Sequence, residues 1–418
     1  MKRETKICLL LLSALVICPT TEARRKDKKN KAAMAALVKD TVNADYKKIS
    51  KNAATQKGLF TTLYNAKEGK LYFEIPDSAF NHIYILANRV AAISNTQEYV
   101  AGQIATQPLL IRFTKDERNV YMHEIQSDDI VSPTDPMRSA FNKNFYDPVI
   151  KGFKIVASNG KNVVIDVTSF FGGNEKCISP IKTDNPLSKL LGGKSALKGT
   201  FVSDASGIIS SKSFPGNIEI KSRLSFTLSP LGQPYSVIMH RSLFALPEEP
   251  MRMRLQDNRV GYFYSDKSIY TTNKDRLERR TYIHRWRLEP KQEDLERYFK
   301  GELVEPVKPI VFYVDSAFPE KWRSAIKQGI EDWNIAFETA GFKNAIKAVD
   351  YPKDDPNFDP DDMRYSCFKY AASPTANAMG PSHIDPRTGE ILTGDVIWYH
   401  NIISLLHNWR FVQTGAVD

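Results

Sequence analysis

The sequence predicts an α+β protein, with a long β-rich region followed by a shorter α/β unit. Three observations carry that reading. From about residue 58 to 290, short apolar runs alternate with polar turns and show no helical period. After residue 303 the pattern changes: Ile310-Val311-Phe312-Tyr313-Val314 is a compact apolar strand, and Trp322, Ile326, Ile330, Trp333 and Phe337 then recur at the spacing of one helical face. Composition is ordinary for a globular chain, 42% hydrophobic and 25% charged over 418 residues, so wholesale disorder is excluded and several cores are affordable by length alone.

The N-terminus reads as an export signal. Lys2, Arg3 and Lys6 precede the apolar run Ile7–Cys18, and Thr21 and Ala23 suit cleavage after Ala23. That run is too short to span a bilayer as a helix. Cys18 leaves a lipoprotein reading open, although Ile17 before it fits such processing poorly. Residues 1–23 are therefore assigned to a signal peptide, and 24–50 to a basic linker and short helix. The mature chain is expected to be exported, whether periplasmic, outer-membrane-associated or extracellular, and not transmembrane. Much of the formal charge of +10 sits in Arg24, Arg25, Lys26, Lys28, Lys29 and Lys31. A solvated linker explains that run, with an anchor to an anionic surface as the alternative. Only Cys177 and Cys367 would remain after cleavage, and free thiols are expected.

Residues 51–94 read as a small β-hairpin domain: Leu59–Tyr64 and Leu71–Ile75 flank a turn at Lys67-Glu68-Gly69, with His82–Ala87 as a third strand. Residues 95–300 read as a β-rich domain. Its hairpins are Leu109–Phe113 with Val120–Ile125, and Phe153–Val156 with Val163–Val167 around Asn159-Gly160, where both turn residues tolerate positive φ. Ile218–Leu224, Ser236–His240 and Tyr282–Leu288 follow as strands. Residues 301–418 form the last unit, with Pro319 opening its helix, Gly341 closing it, and Tyr365–Tyr370 as another strand.

The search for chemistry excludes more than it finds. A zinc protease needs two histidines one helical turn apart and a glutamate to activate the metal-bound water. None of His82, His123, His240, His284, His383, His400 and His407 has a histidine four residues on. His123 reads as a surface strand residue, and His400 and His407 as polar surface residues. Gly192-Gly193-Lys194-Ser195 lacks the earlier glycine of a phosphate loop. Asp354, Asp355, Asp359, Asp361 and Asp362 read as a solvated acidic loop rather than a calcium site. No nucleic-acid-binding pattern is present. Asp385-Pro386-Arg387-Thr388-Gly389 is tight-turn chemistry joining two extended arms. One is Ala376-Asn377-Ala378-Met379-Gly380, whose small side chains suit close approach of a peptide backbone; the other is Ile391–Trp398. An ordinary hairpin over a core is the plainer reading of the same residues.

The stretch 373–392 resembles the metzincin-like catalytic domain of large bacterial exported zinc-dependent metalloproteases that carry two N-terminal domains of unknown function. The resemblance extends through Tyr72–Ser78, Ser211–Glu219, Val260–Phe263, Arg285–Pro290, Lys300–Pro306 and Lys327–Trp333. It implies that residues 301–418 are the N-terminal part of a zincin-like catalytic domain, incomplete because the family's HExxH helix would follow. It also implies that Ala376, Asn377, Ala378, Met379 and Gly380 form the edge strand of a substrate cleft for a peptide or protein. By that likeness the complete protein would use zinc to hydrolyse peptide bonds, whereas this chain carries no catalytic or metal residue and no zinc is expected in it. The sheet of 310–398 would then present an apolar patch. The alternative is a non-catalytic exported protein that binds peptide, glycan or protein.

Overall fold

A computed structural model describes residues 44–96, 99–181 and 198–414. The proposed signal peptide, the basic run and the 192–195 segment lie outside the described residues. So does most of the expected linker, of which residues 44–51 are seen as a helix.

Most of the chain between residues 54 and 245 is one 12-stranded, nearly closed sheet. Its strands are β1 (Ala54–Gln56), β2 (Thr61–Asn65), β3 (Lys70–Ile75), β4 (Ile83–Ile93), β5 (Ile104–Lys115) and β6 (Asn119–Glu124). β8 (Val149–Asn159), β9 (Asn162–Asp166), β10 (Gly199–Phe201), β11 (Gly207–Phe214), β12 (Asn217–Leu228) and β13 (Gln233–Ala245) complete it, β7 (Asp129–Val131) lying elsewhere. The order is β1-β2-β3-β9-β8-β6-β5-β4-β13-β12-β10, with β11 also on β12. β4 pairs with β5 on one side and β13 on the other, so residues 51–94 and 95–300 share this sheet. The expected hairpins form, with Gly69 and Gly160 at positive φ in their turns.

The seam closes between β11 and the entry to β2. Leu59 N donates to Phe214 O at 2.6 Å, Ser213 Oγ to Phe60 O at 2.6 Å, and Tyr64 OH to Ile208 O at 2.8 Å. This approach needs a glycine: a Cβ on Gly58 would lie 2.5 Å from Ser213 Oγ and 2.6 Å from Phe214 N. Inside, Phe60 meets Phe73, Tyr84 and Phe113 edge to face, with centroids 5.5–5.9 Å apart. The helix 44–51 covers the outer face, where Tyr46 OH donates to Glu74 Oε2 at 2.8 Å.

The strand expected over Tyr282–Leu288 ends early. β14 (Tyr264–Tyr270) and β15 (Glu278–Ile283) pair with β7 in a separate three-stranded sheet. Beyond Ile283 the chain leaves β14: Arg285 N donates to Gly389 O, and Ile391 N donates to Arg285 O.

The last unit holds β16 (Ile310–Val314), β17 (Ile346–Asp350), β18 (Ser366–Ala371), β19 (Ala378–Met379) and β22 (Val396–Tyr399), in the order β17-β16-β18-β22-β19. Four strands run parallel and β19 antiparallel at the edge. β20 (Ser382–Asp385) and β21 (Glu390–Gly394) form a separate hairpin. The predicted helix is two, Glu320–Glu331 and Asn334–Thr339, and Gly341 follows at φ 92°. A β-rich α+β protein is the result. Among the described residues no helix is long and apolar enough to cross a membrane.

Candidate functional site

Side-chain alternation gives the five-stranded sheet two unlike faces. Ile397, Tyr399, Cys367 and Lys369 point towards the outer wall of the large sheet; Val396, Trp398, Phe368 and Tyr370 point the other way, under the helix Glu320–Glu331.

The edge strand lies where the two units meet. Ala378 pairs with Trp398 and Met379 with Ile397, while the opposite edge of β19 carries no strand partner among the described residues. Asn377, Met379 and Gly380 are exposed, and Ala378 is half-buried. Support comes from the loop before β5: Gln103 Nε2 contacts Tyr399 OH and Met379 Sδ, each at 3.1 Å. Gly102 sits close enough that its Cβ would fall 2.9 Å from Ile397 Cδ1.

The Asp385–Gly389 turn forms, but it does not join the expected arms. It connects β20 to β21, and Ala376–Gly380 stands apart, pairing with β22 instead. The second arm breaks at Asp395. Asp385 fixes the turn by accepting from Arg387 N and Nε at 2.9 and 3.0 Å, and from Arg387 Nη2 at 2.7 Å.

Between the units lies a buried charge network. Asp395 Oδ2 sits 3.1 Å from both Arg89 Nη1 and Lys369 Nζ, and its Oδ1 accepts from Cys367 N at 2.9 Å. Lys369 Nζ reaches Asp361 Oδ1 at 2.9 Å, and Lys221 Nζ reaches Asp359 Oδ2 at 2.8 Å. His240 Nε2 lies 2.8 Å from Glu219 Oε2, and Arg364 Nη2 lies 2.7 Å from Asp362 Oδ2. Arg89 Nε donates to His383 Nε2 at 3.1 Å. The second half of the acidic loop is thus not freely solvated, because its carboxylates neutralise cations on β12, β13 and β18. His123 is also buried, not on the surface: Thr114 Oγ1 lies 2.8 Å from its Nε2, and Asp147 O lies 3.1 Å from its Nδ1.

The network sets protonation states. Burial would lower the His240 pKa, but Asp361 and Glu219 outweigh it and push it up to about 9. Burial would raise Asp361, yet Lys369, His240 and Lys221 hold it well below the usual carboxylate range. His383 is driven well below its ordinary value by burial and by Arg89 and Lys369. Sequence spacing could not reveal this set, since its members come from distant elements and share no motif.

His240, Asp359 and Asp361 bring their ligand atoms within 4.8 Å of one another. They do not fit zinc. The metal needs neutral imidazole, whereas His240 is held protonated, and ammonium groups already contact both aspartates at 2.8 and 2.9 Å. Asp359, Asp361, Asp362 and Asp395 each already contact a cation among Arg89, Lys221, His240, Arg364 and Lys369, and burial raises the pKa of Glu219 beside them.

The opposite face of the sheet holds an apolar groove of about 670 Å³, lined by Trp286, Phe312, Trp322, Trp333, Phe368 and Trp398 among others. This is the apolar patch expected on the 310–398 sheet. Cys367 and Cys177 are free, Cys367 fully buried and Cys177 partly exposed.

Two family models match the chain. Residues 44–93 match a domain of unknown function, DUF5118, and residues 102–291 match another, DUF5117. The chain therefore carries both domains, and they meet in one sheet: β3 of the first pairs with β9 of the second, and β4 pairs with both β5 and β13. No curated protein and no solved structure matches the chain.

Proposed function

We propose that this chain is an exported protein of the zinc-dependent metallopeptidase kind and that its residues bind an extended peptide along β19. The observation that carries this reading is the open antiparallel edge at Ala378–Met379, on a sheet whose other strands run parallel. An unpaired edge offers backbone donors and acceptors to an incoming strand. Small side chains at Ala376, Ala378 and Gly380 leave room for its backbone. Gln103 and Tyr399 hold Met379 from behind, so the edge is fixed before peptide arrives. Ordering cost on binding is lowered accordingly.

In the complete catalytic site of such an enzyme, zinc would activate water for peptide-bond hydrolysis. The one cluster of candidate ligands among the described residues does not fit that metal, so the part proposed for β19 is to align the substrate. A non-catalytic peptide-binding protein is the second reading, favoured by the absence of any His-x-x-x-His pair in the 418 residues.

Fluorescence anisotropy of labelled casein-derived peptides with the purified chain tests the reading. Saturable binding that persists in EDTA and is lost in Asn377→Pro/Gly380→Pro is expected, because proline removes backbone donors at these exposed flanks. Unchanged binding in a variant with wild-type thermal stability would overturn it.

A further inference from the structure

The segment from Arg252 to Tyr264 contributes no residue to the β19 edge. It flanks β15 on both edges: Ile283 N donates to Arg254 O at 3.0 Å on one side, and His284 N to Phe263 O at 2.8 Å on the other. Its two ends are therefore tied to β15. On it, Leu255, Tyr262 and Phe263 are 58%, 50% and 86% exposed. Scattered exposed apolar residues need no explanation, but three on one short segment tied at both ends do.

The charges beside it are unmatched. Arg252 and Arg254 are exposed and make no ion pair among the described residues. Arg285 joins them, its Nη2 donating to Arg252 O at 2.8 Å, while its Nε is buried with no hydrogen-bond partner. Burial lowers the pKa of Arg285, and the positive charge of Arg254 lowers it further. By contrast Arg259, on the same ribbon, is neutralised by Asp257 at 2.6 Å. Glu289 and Glu390 partly offset the lowering at Arg285, so Arg252 and Arg254 are the two cations left without a carboxylate among the described residues, next to side chains that lack an apolar cover.

We propose that this ribbon docks the protein on an anionic lipid bilayer. A flat anionic surface matches both halves of the patch. Phosphate headgroups would pair with Arg252 and Arg254, and the aromatic tips would enter the headgroup–acyl boundary. Phe263, at 86% exposure, lies in no enclosed site that could hold a small anion. The high exposure of these side chains favours a bilayer over a peptide, which takes its anchors in pockets. The segment shares no residue with the β19 edge, so the inference stands independently of peptide binding.

Co-sedimentation of the full chain with phosphatidylcholine vesicles, with and without phosphatidylglycerol, tests it. Binding should require the anionic lipid. Each of Arg252→Gln and Arg254→Gln should lower the partition coefficient about fivefold. Phe263→Ser should lower it about tenfold. All three positions are exposed, so circular dichroism and the melting temperature should not change. Because the basic run Arg24–Lys31 could itself bind anionic lipid, a variant with Arg24, Arg25, Lys26, Lys28, Lys29 and Lys31 changed to Gln serves as control and should keep loop-dependent binding. No binding to anionic vesicles would overturn the proposal. So would binding that survives the loop variants and vanishes in the tail variant, or loop-dependent capture of polyglutamate without vesicle binding.

Discussion

The two faces of the five-stranded sheet are closed by opposite means. Towards the large sheet, the contact is built from buried ions, with Asp395, Arg89 and Lys369 no more than 8% exposed. Away from it, the same strands present Trp398, Phe368 and Phe312 to an open groove. Buried charges are intolerant, because each depends on partners fixed at hydrogen-bond distance. Apolar contacts are tolerant, since loss of one leaves the others intact and water can enter an open groove. Precision therefore resides on the barrel side, the side from which Gln103 braces β19.

The comparison breaks most sharply at Asp395. Asp395→Ala leaves Arg89 and Lys369 buried beside a lost carboxylate, and should cost about 3–5 kcal/mol in chemical denaturation. Trp322→Ala, on the groove side and only partly buried, should cost about 1–2 kcal/mol. Equal losses would mean that the two faces are not different in kind.

Next in size is a pH effect. The folded pKa of His240 is raised to about 9, above an unfolded value of about 6.5, so its contribution is fully present below 6.5 and disappears as pH rises through 9. For this buried group the loss is about 3 kcal/mol. His383 acts in the other direction. Its folded pKa is depressed, so the unfolded chain takes up a proton that the folded chain refuses, and stability falls as pH drops below about 6.5. Asp361 adds a further loss only below about pH 4, as pH falls from the unfolded carboxylate value towards its depressed pKa, outside the range of the urea midpoints. Urea midpoints between pH 5 and pH 10 should therefore peak near neutrality. His240→Gln should flatten the alkaline limb, and an unaltered limb would remove His240 from the account.

A third test concerns the large sheet rather than its contact. Gly58→Val forces a side chain into Ser213 Oγ and the Phe214 backbone, and should cost about 1–3 kcal/mol. A neutral result would mean that the seam between β11 and β2 opens without consequence.

Much of the fold was legible because it is local. Asn159-Gly160 announced its hairpin, and the Trp322–Ile326–Ile330 spacing announced its helix. What stayed hidden depends on residues far apart in sequence. Nothing near His123 signals its burial, which β5 and the Asp147 carbonyl impose. The aspartates of 359–362 look like solvated loop residues until β12, β13 and β18 bring lysines and a histidine to them. The candidate edge was legible as small residues before a turn, but its pairing was not. Extended arms on either side of Asp385–Gly389 look like one hairpin, and only the sheet order separates β19 from β20.

Amide hydrogen exchange across Asn377–Gly380, with and without a saturating extended peptide, tests the central claim most directly. Protection of this segment, with β17 at the opposite edge unchanged, is the predicted result. Protection elsewhere with Asn377–Gly380 exchanging freely would contradict strand addition at β19 and remove the basis for the proposed function.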